Sequence, residues 1–411
     1  MTEEAGGYAV LLIAIGAIVI ASVALRWGAS RIHLPAIIGY LLIGVALGIY
    51  DQDGGLLNHT MHQGLTLLAD IGLVVILFRV GLESDIEALF RVLGRALAIF
   101  ASNFFIAGAL GIAAILLFTD FGLIPALFTG AALSATSVGV STAIWQDAGA
   151  LDTDSGALLV DVAELDDISA ILVIGLLFAL APTLNGSAAS ADESVILGEV
   201  GFLLGKLCLF LVGCYLFTRW LEDPLVRLFR MLDPRLGPML FAFGVALLVA
   251  AIAELLGFSL AIGAMFAGLA FSTPPTDRLI DRTFQQIYVL FAPFFFISIG
   301  LATDGAELSG AIGLAALLLV VAIIGKLVGA GLPVALLGPR NQGWLFGMSM
   351  VPRAEIALIV MNYGLALGTW AVPPQLYNAM VAVSLATCVI APIAVSRMLR
   401  KSDLADPKVS A

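Results

Sequence analysis

The chain has 411 residues, 61% of them hydrophobic and only 12% charged, a formal net charge of -11 and a mean hydropathy of +1.08. Soluble domains are nearer half apolar and a quarter charged, so a soluble enzyme and a disordered chain are excluded. The acidic balance, with no basic patch, excludes a nucleic-acid binder. What remains is a polytopic membrane protein, since a bilayer core of about 30 Å takes about 20 apolar residues per helix and this length holds roughly a dozen spans.

Apolar runs between polar breaks predict about thirteen spans, near 6–27, 34–50, 62–82, 93–118, 122–146, 155–181, 196–218, 236–256, 258–272, 284–302, 310–338, 342–367 and 374–397. The first run is too long, and lacks the preceding basic flank, for a cleaved leader. The ninth is short; the eleventh and twelfth are long and interrupted. Of the 19 Lys and Arg, four fall inside spans: Arg79, Lys206, Lys326 and Arg353. The others flank spans, and under this topology all lie on one side. Opposite loops hold only acids, among them Asp51, Asp53, Asp120, Asp192, Glu193, Asp304 and Glu307. The positive-inside rule then sets the N-terminus outside and the C-terminus in the cytoplasm of a cell (inner) membrane, with a short tail over 399–411. Cys208, Cys214 and Cys388 all fall in apolar segments and read as plain buried thiols.

An ionisable group within a span is expensive and is a functional candidate. The sixth span reads DVAELDDISA and carries Asp161, Glu164, Asp166 and Asp167. Asp167 lies ~16 Å beyond Gly156, near the bilayer midplane. Adjacent carboxylates there suit a site that exchanges a proton for a cation, because bare oxygens ligate a hard ion. The alternative is a set of interhelical salt bridges, which fits Asp161 and Glu164 better than Asp166 and Asp167. Lys326, at the centre of the eleventh span in IIGKLVGAG, calls for a carboxylate partner across the bundle. Arg353 and Glu355 lie mid-span behind Pro352, as a functional pair or a structural one. Arg79 stands near the cytoplasmic end of its span and either snorkels or pairs with Asp161 or Glu164. The position of Lys206 assigns it no role.

The fifth span carries GAALSATSVGVSTA, and the twelfth carries Gly347, Pro352 and two charges. Both read as interrupted helices, the device with which transporters build midplane ion sites. The two are seven spans apart, so they cross in opposite directions, as an inverted repeat requires.

The segments LPAIIGYLLIGVALG (34–48), LADIGLVVILFRVGLESD (68–85), ATSVGVSTAIWQDAGALDTDSGALLVDVAELDDI (135–168), FFFISIGLATD (294–304) and MVPRAEIALIV (350–360) resemble the bacterial sodium/proton antiporters and their potassium-efflux relatives. Order and spacing together carry the likeness over nearly the whole chain. The resemblance implies an all-α polytopic fold of thirteen helices, a homodimer in lipid, and two bundles per protomer. Scaffold helices would occupy 1–92 and, with a linker helix, 196–302; the six-helix core would occupy 93–183 and 310–398. It implies that Asp166 and Asp167 are the paired aspartates at which Na⁺ (or Li⁺ or K⁺) and H⁺ bind. Thr136 and Ser137 match the unwound stretch of the first broken helix. Lys326 matches the lysine paired with the first aspartate in electrogenic members, and Arg353 and Glu355 the charged pair of the second broken helix. No cofactor and no enzymatic step are implied.

The glutamine and nucleotide-binding domain typical of the potassium-efflux branch are missing from the pattern, so Na⁺/H⁺ exchange is the first expectation and K⁺/H⁺ exchange the second. A channel fits less well, for want of a repeated filter; an intramembrane enzyme would set its aspartates on separate helices. Asp161, Glu164 and Arg79 depart from the family pattern. Asp161, Glu164 and Asp167 recur every three residues, so they form a stripe suited to an inward cation path, with Arg79 as its gate or only a brace.

Overall fold

The computed structural model describes residues 2–31, 35–54, 59–83, 95–151, 153–187, 193–256, 258, 260–272, 276–303, 308–337 and 340–402. Among these, every regular element is helical. That is the expected response to lipid, where each backbone N–H and C=O must be satisfied within its own segment. The helices are α1 (Thr2–Arg31), α2 (Ala36–Gly54), α3 (His59–Glu83), α4 (Arg95–Phe118), α5 (Leu123–Ser134), α6 (Val138–Asp147), α7 (Asp154–Ser187), α8 (Glu193–Leu216), α9 (Asp223–Leu232), α10 (Gly237–Leu255), α11 (Leu260–Ala270), α12 (Thr276–Leu301), α13 (Leu308–Lys326), α14 (Leu332–Leu337), α15 (Arg340–Ser349), α16 (Glu355–Leu367) and α17 (Pro374–Leu399). Seven described helical segments are long and apolar enough to cross a bilayer, and four shorter apolar helices accompany them. The fold is that of a polytopic membrane protein.

The chain divides into two compact units. The first comprises Met1–Ala24, Asp53–Ile86 and Phe178–Ser298; the second comprises Leu25–Gln52, Glu87–Leu177 and Ile299–Ala411.

In the first unit α3 and α11 touch backbone to backbone. Gly81 lies against the Met265 carbonyl and Gly268 against the Phe78 carbonyl, leaving no room for a Cβ at either. Phe78 packs its ring on Phe284 and Phe271, with centroids 4.6 and 5.9 Å away. Lys206, unassigned by sequence, donates from Nζ to the Leu256 carbonyl at 3.3 Å, just past the end of α10. A cation there satisfies an acceptor that the ending helix leaves open.

The chain beyond Phe217 departs from expectation. The predicted spans end at 218 and resume at 236, and between them a π-helical turn, Phe217–Glu222, runs straight into α9. Val226 is buried and Phe229 stacks on Phe241, centroids 4.6 Å apart, while Arg227 and Arg230 stay exposed, so an amphipathic pattern too polar for a span still forms a helix. Asp233 then accepts the backbone N–H groups of Arg235 and Leu236 at 2.9 and 3.0 Å. These bonds hold its carboxyl below the usual carboxylate range. The cysteines also differ from expectation: all three are free, but only Cys388 is buried, and Cys208 is exposed. Apolar sequence marks a lipid-compatible segment, not which helix face is inside.

In the second unit α4 packs along α5, and α13 lies on α4 and α17. Both interrupted spans are split in two. The first breaks between α5 and α6, with Ala135 extended. The second breaks between α15 and α16, where Pro352 has no N–H to continue a helix and disfavours helical geometry in Val351. The breaks meet: Ser137 donates its backbone N–H to the Pro352 carbonyl at 2.9 Å, and Ser141 Oγ donates to the Ser349 carbonyl. Trp145 Nε1 donates to Ser349 Oγ at 2.8 Å, so two halves distant in sequence are pinned at one level.

Candidate functional site

Asp166 is carried by α7 to the crossing of the two breaks and is fully buried. One of its oxygens, Oδ2, collects three donors: Lys326 Nζ at 2.9 Å, Thr136 Oγ1 at 2.7 Å and Asn103 Nδ2. The other oxygen, Oδ1, has no hydrogen-bond partner among the described residues. Lys326, also fully buried, makes a second bond at 2.6 Å to the carbonyl of Ser134, the last residue of α5. The ammonium therefore neutralises a carboxylate and faces the negative end of a half-helix at once.

Arg353 does similar work for both breaks. Its Nη1 donates to the Ala135 carbonyl in the first and, at 3.2 Å, to the Met350 carbonyl in the second. Its own carbonyl accepts Ser384 Oγ at 2.7 Å and Cys388 Sγ at 3.2 Å from α17. Glu355 stands at the opposite polarity: it opens α16, and its Oε2 accepts Ser137 Oγ at 2.8 Å, just before α6. Thus cations meet the helix ends rich in carbonyls, and the acid meets the ends rich in N–H groups. Arg353 and Glu355, two residues apart in sequence, thereby serve different ends of the broken helices.

Thr136, Ser137, Asp166, Lys326, Arg353 and Glu355 are brought together within the second unit. Asp167 follows Asp166 on α7, and Glu164 precedes it, but their side chains lie outside the described ones. Asp161 is partly buried on the same helix. Arg79 belongs to the first unit, where its guanidinium lies 5.0 Å from the centre of the Tyr288 ring. Sequence reasoning passed over Asn103, although a lone amide in the apolar run of α4 is itself a signal that something polar awaits it.

The profile of the family described as sodium/hydrogen exchanger, transmembrane, matches residues 17–401. The chain belongs to this family. Among its curated relatives in this exchanger family are the high-affinity Na(+)/H(+) antiporter NhaS3 of Synechocystis sp., 26% identical over 88% of this chain and 84% of the relative. The Na(+)/H(+) antiporter of Enterococcus hirae is 28% identical over 90% and 93% of the two chains. The Na(+)/H(+)-K(+) antiporter GerN of Bacillus cereus is 29% identical over 88% and 89%. These relatives are transporters, not enzymes. The solved structure of the sodium proton antiporter MjNhaP1 from Methanocaldococcus jannaschii at pH 8 shares the fold, with a TM-score of 0.68 over 97% of this chain and all of the other at 16% identity.

Proposed function

We propose that this exchanger-family protein is a secondary transporter that trades protons for monovalent cations, Na⁺ first and Li⁺ with it, at Asp166 and Asp167. One observation carries the reading: a buried carboxylate, neutralised by a buried lysine, sits at the crossing of two broken helices with one oxygen lacking a hydrogen-bond partner among the described residues. Asp167 carries either the cation or a proton. Asp166 pairs with Lys326 while no cation is bound. An arriving cation competes with the ammonium for the carboxylates, the pair weakens, and protons leave the site. One set of oxygens serves both ions, so the two compete and their movements are coupled; loss of one proton from Lys326 as well as one from Asp167 for each monovalent cation bound makes the cycle electrogenic. The core, 93–183 and 310–398, moves against a scaffold formed by 1–92 and 196–302, which opens the site to each side in turn. The protein works as a homodimer in the lipid of the cell (inner) membrane, N-terminus outside. Arg79 gates the inward path lined by Asp161 and Glu164; an unchanged cation affinity and pH threshold in Arg79→Ala, with a lower melting temperature, reduces Arg79 to a brace.

A second reading, K⁺/H⁺ exchange on the same site, is supported by the similarity to GerN, whose name includes K(+). The test is internal pH in proteoliposomes as Na⁺, Li⁺ or K⁺ is added in turn. Sodium-driven proton movement is expected in the wild type and absent in Asp167→Asn, which keeps the side-chain volume and removes the charge. Wild-type rates in that variant sink the site assignment, and a response to K⁺ alone selects the second reading.

A further inference from the structure

Asn103 sits in α4, 63 residues before Asp166, and is fully buried. Its Nδ2 donates to the same Asp166 oxygen that receives Lys326 and Thr136. A carboxylate oxygen offers about two lone-pair directions, so three donors saturate Oδ2. Two acceptors then lack partners among the described residues: Asp166 Oδ1 and Asn103 Oδ1. Buried oxygens without a donor are uncommon, and here two belong to groups joined by one hydrogen bond.

The helix that bears Lys326 holds Asn103 in place. A Cβ built at Gly329 stands 2.8 Å from Asn103 Cα, and one built at Gly325 stands 3.2 Å from Ala107 Cα. The two glycines are four residues apart, flank Lys326, and let the two helices meet along their backbones. A π-helical turn, Leu327–Gly331, begins directly after Lys326. Such turns alter the register of a helix locally and often mark functional sites. The backbone of Asn103 is therefore held at the level of the Asp166–Lys326 pair, and a leucine, alike in branching, would stand there without an amide.

We propose that Asn103 is a positioning residue of the exchange site and a neutral ligand for the transported cation. Its NH₂ group fixes Asp166 Oδ2 and so leaves Oδ1 open; its amide oxygen joins the cation when Lys326 lets go. Hard monovalent and divalent cations alike take oxygen donors, and amide oxygens serve as well as carboxylates where no further charge is wanted. Being neutral, Asn103 adds a ligand without changing the charge moved per cycle. This inference rests on the exchange reading above and assigns a further residue to that same site.

The experiment compares wild type, Asn103→Leu and Asn103→Asp by two measurements. The first is proton movement in proteoliposomes against Na⁺, Li⁺ and K⁺ concentration at several pH values. The second is the rise in melting temperature that each cation produces in purified protein, which requires binding and no transport. Asn103→Leu is expected to raise the apparent KM for Na⁺ roughly tenfold, with the saturating rate kept within a few fold, and to lose the cation-dependent stabilisation. Asn103→Asp keeps an oxygen ligand, and is expected to restore cation affinity while moving the pH profile; it also carries the test if the leucine variant does not fold. Unchanged KM, pH profile and cation stabilisation in Asn103→Leu, with only a lower melting temperature, overturn the proposal. Absence of exchange in the wild type overturns the exchange reading instead. Asn103 is then judged by stabilisation alone: a wild-type shift lost in the leucine variant supports it, and equal or absent shifts in both refute it.

Discussion

Lys326 joins a carboxylate and a helix end within one buried ammonium, so its removal acts on both. Lys326→Gln leaves Asp166, among the described residues, with the neutral donors Thr136 and Asn103, and leaves the Ser134 carbonyl facing an amide. Breaking a buried pair by deleting one partner costs about 3–5 kcal/mol. The variant is expected to melt several degrees lower and to lose the response of exchange to an imposed membrane potential. Thermal melts and proteoliposomes held at set potentials check this; a wild-type result in both removes Lys326 as the counter-charge. The pairing itself was only half legible in sequence. A mid-span lysine demands a carboxylate, but four acids on one helix offered themselves; the family resemblance implied the first aspartate, and the fold presents Asp166 to it.

Close helix contacts depend on glycines that cannot be exchanged freely. Gly329→Ala drives a methyl group into the backbone of Asn103, which yields less easily than a flexible side chain. Overpacking of this kind costs about 1–3 kcal/mol. The variant is expected to melt lower and to bind cations more weakly, whereas Gly205→Ala, with nothing within 4 Å of its added Cβ, is expected to match wild type in both measurements. The start of α10 gives a pH-dependent prediction. The backbone bonds to Asp233 lower its folded pKa, so their stabilisation is present above the ordinary carboxylate range and is lost as pH falls through the folded value. Near pH 7, Asp233→Ala is expected to lower the melting temperature by roughly 1–3 °C. In a pH series that gap closes as pH falls through the lowered folded value, where the wild-type carboxyl loses its charge. A gap that persists there rules out the charge as its source.

Charge is sorted across the molecule in two ways. Arg397 and Arg400 are exposed at the end of α17, which the proposed topology puts at the cytoplasmic face, and exposed Asp120 lies in a loop that it puts on the opposite side. In a background without native cysteines, Lys401→Cys is expected to react with an impermeant maleimide only from the cytoplasmic side, and Asp120→Cys only from outside. Reversed labelling inverts the topology, and labelling of both from one side refutes the span count between them. Buried charge follows a different order: Lys326 and Arg353 are fully buried and meet carbonyl-rich helix ends, with Glu355 at the ends rich in N–H groups. Lipid supplies no water to screen these groups, so the broken helices and the charges must be satisfied together.

Composition and apolar period were enough to establish a helical membrane protein, its approximate spans, the two interrupted segments and the acidic stretch on the sixth span. These are local properties: lipid selects helices, and proline or glycine-rich runs break them, whatever lies alongside. The amphipathic helix Asp223–Leu232 was missed because its pattern falls short of a span; burial of Val226 and the Phe229–Phe241 stack tie it to its neighbours. Apart from the pairing of Lys326 with the first aspartate, which the family resemblance implied, the partners at the site were decided by tertiary structure. Asp166 meets a lysine 160 residues away, an amide 63 away and a threonine 30 away, and Arg353 spans both breaks through carbonyls that no side-chain pattern announces. Sequence states that a buried charge needs a partner; the backbone approach set by Gly325 and Gly329, and the crossing of the two breaks, choose which one it gets.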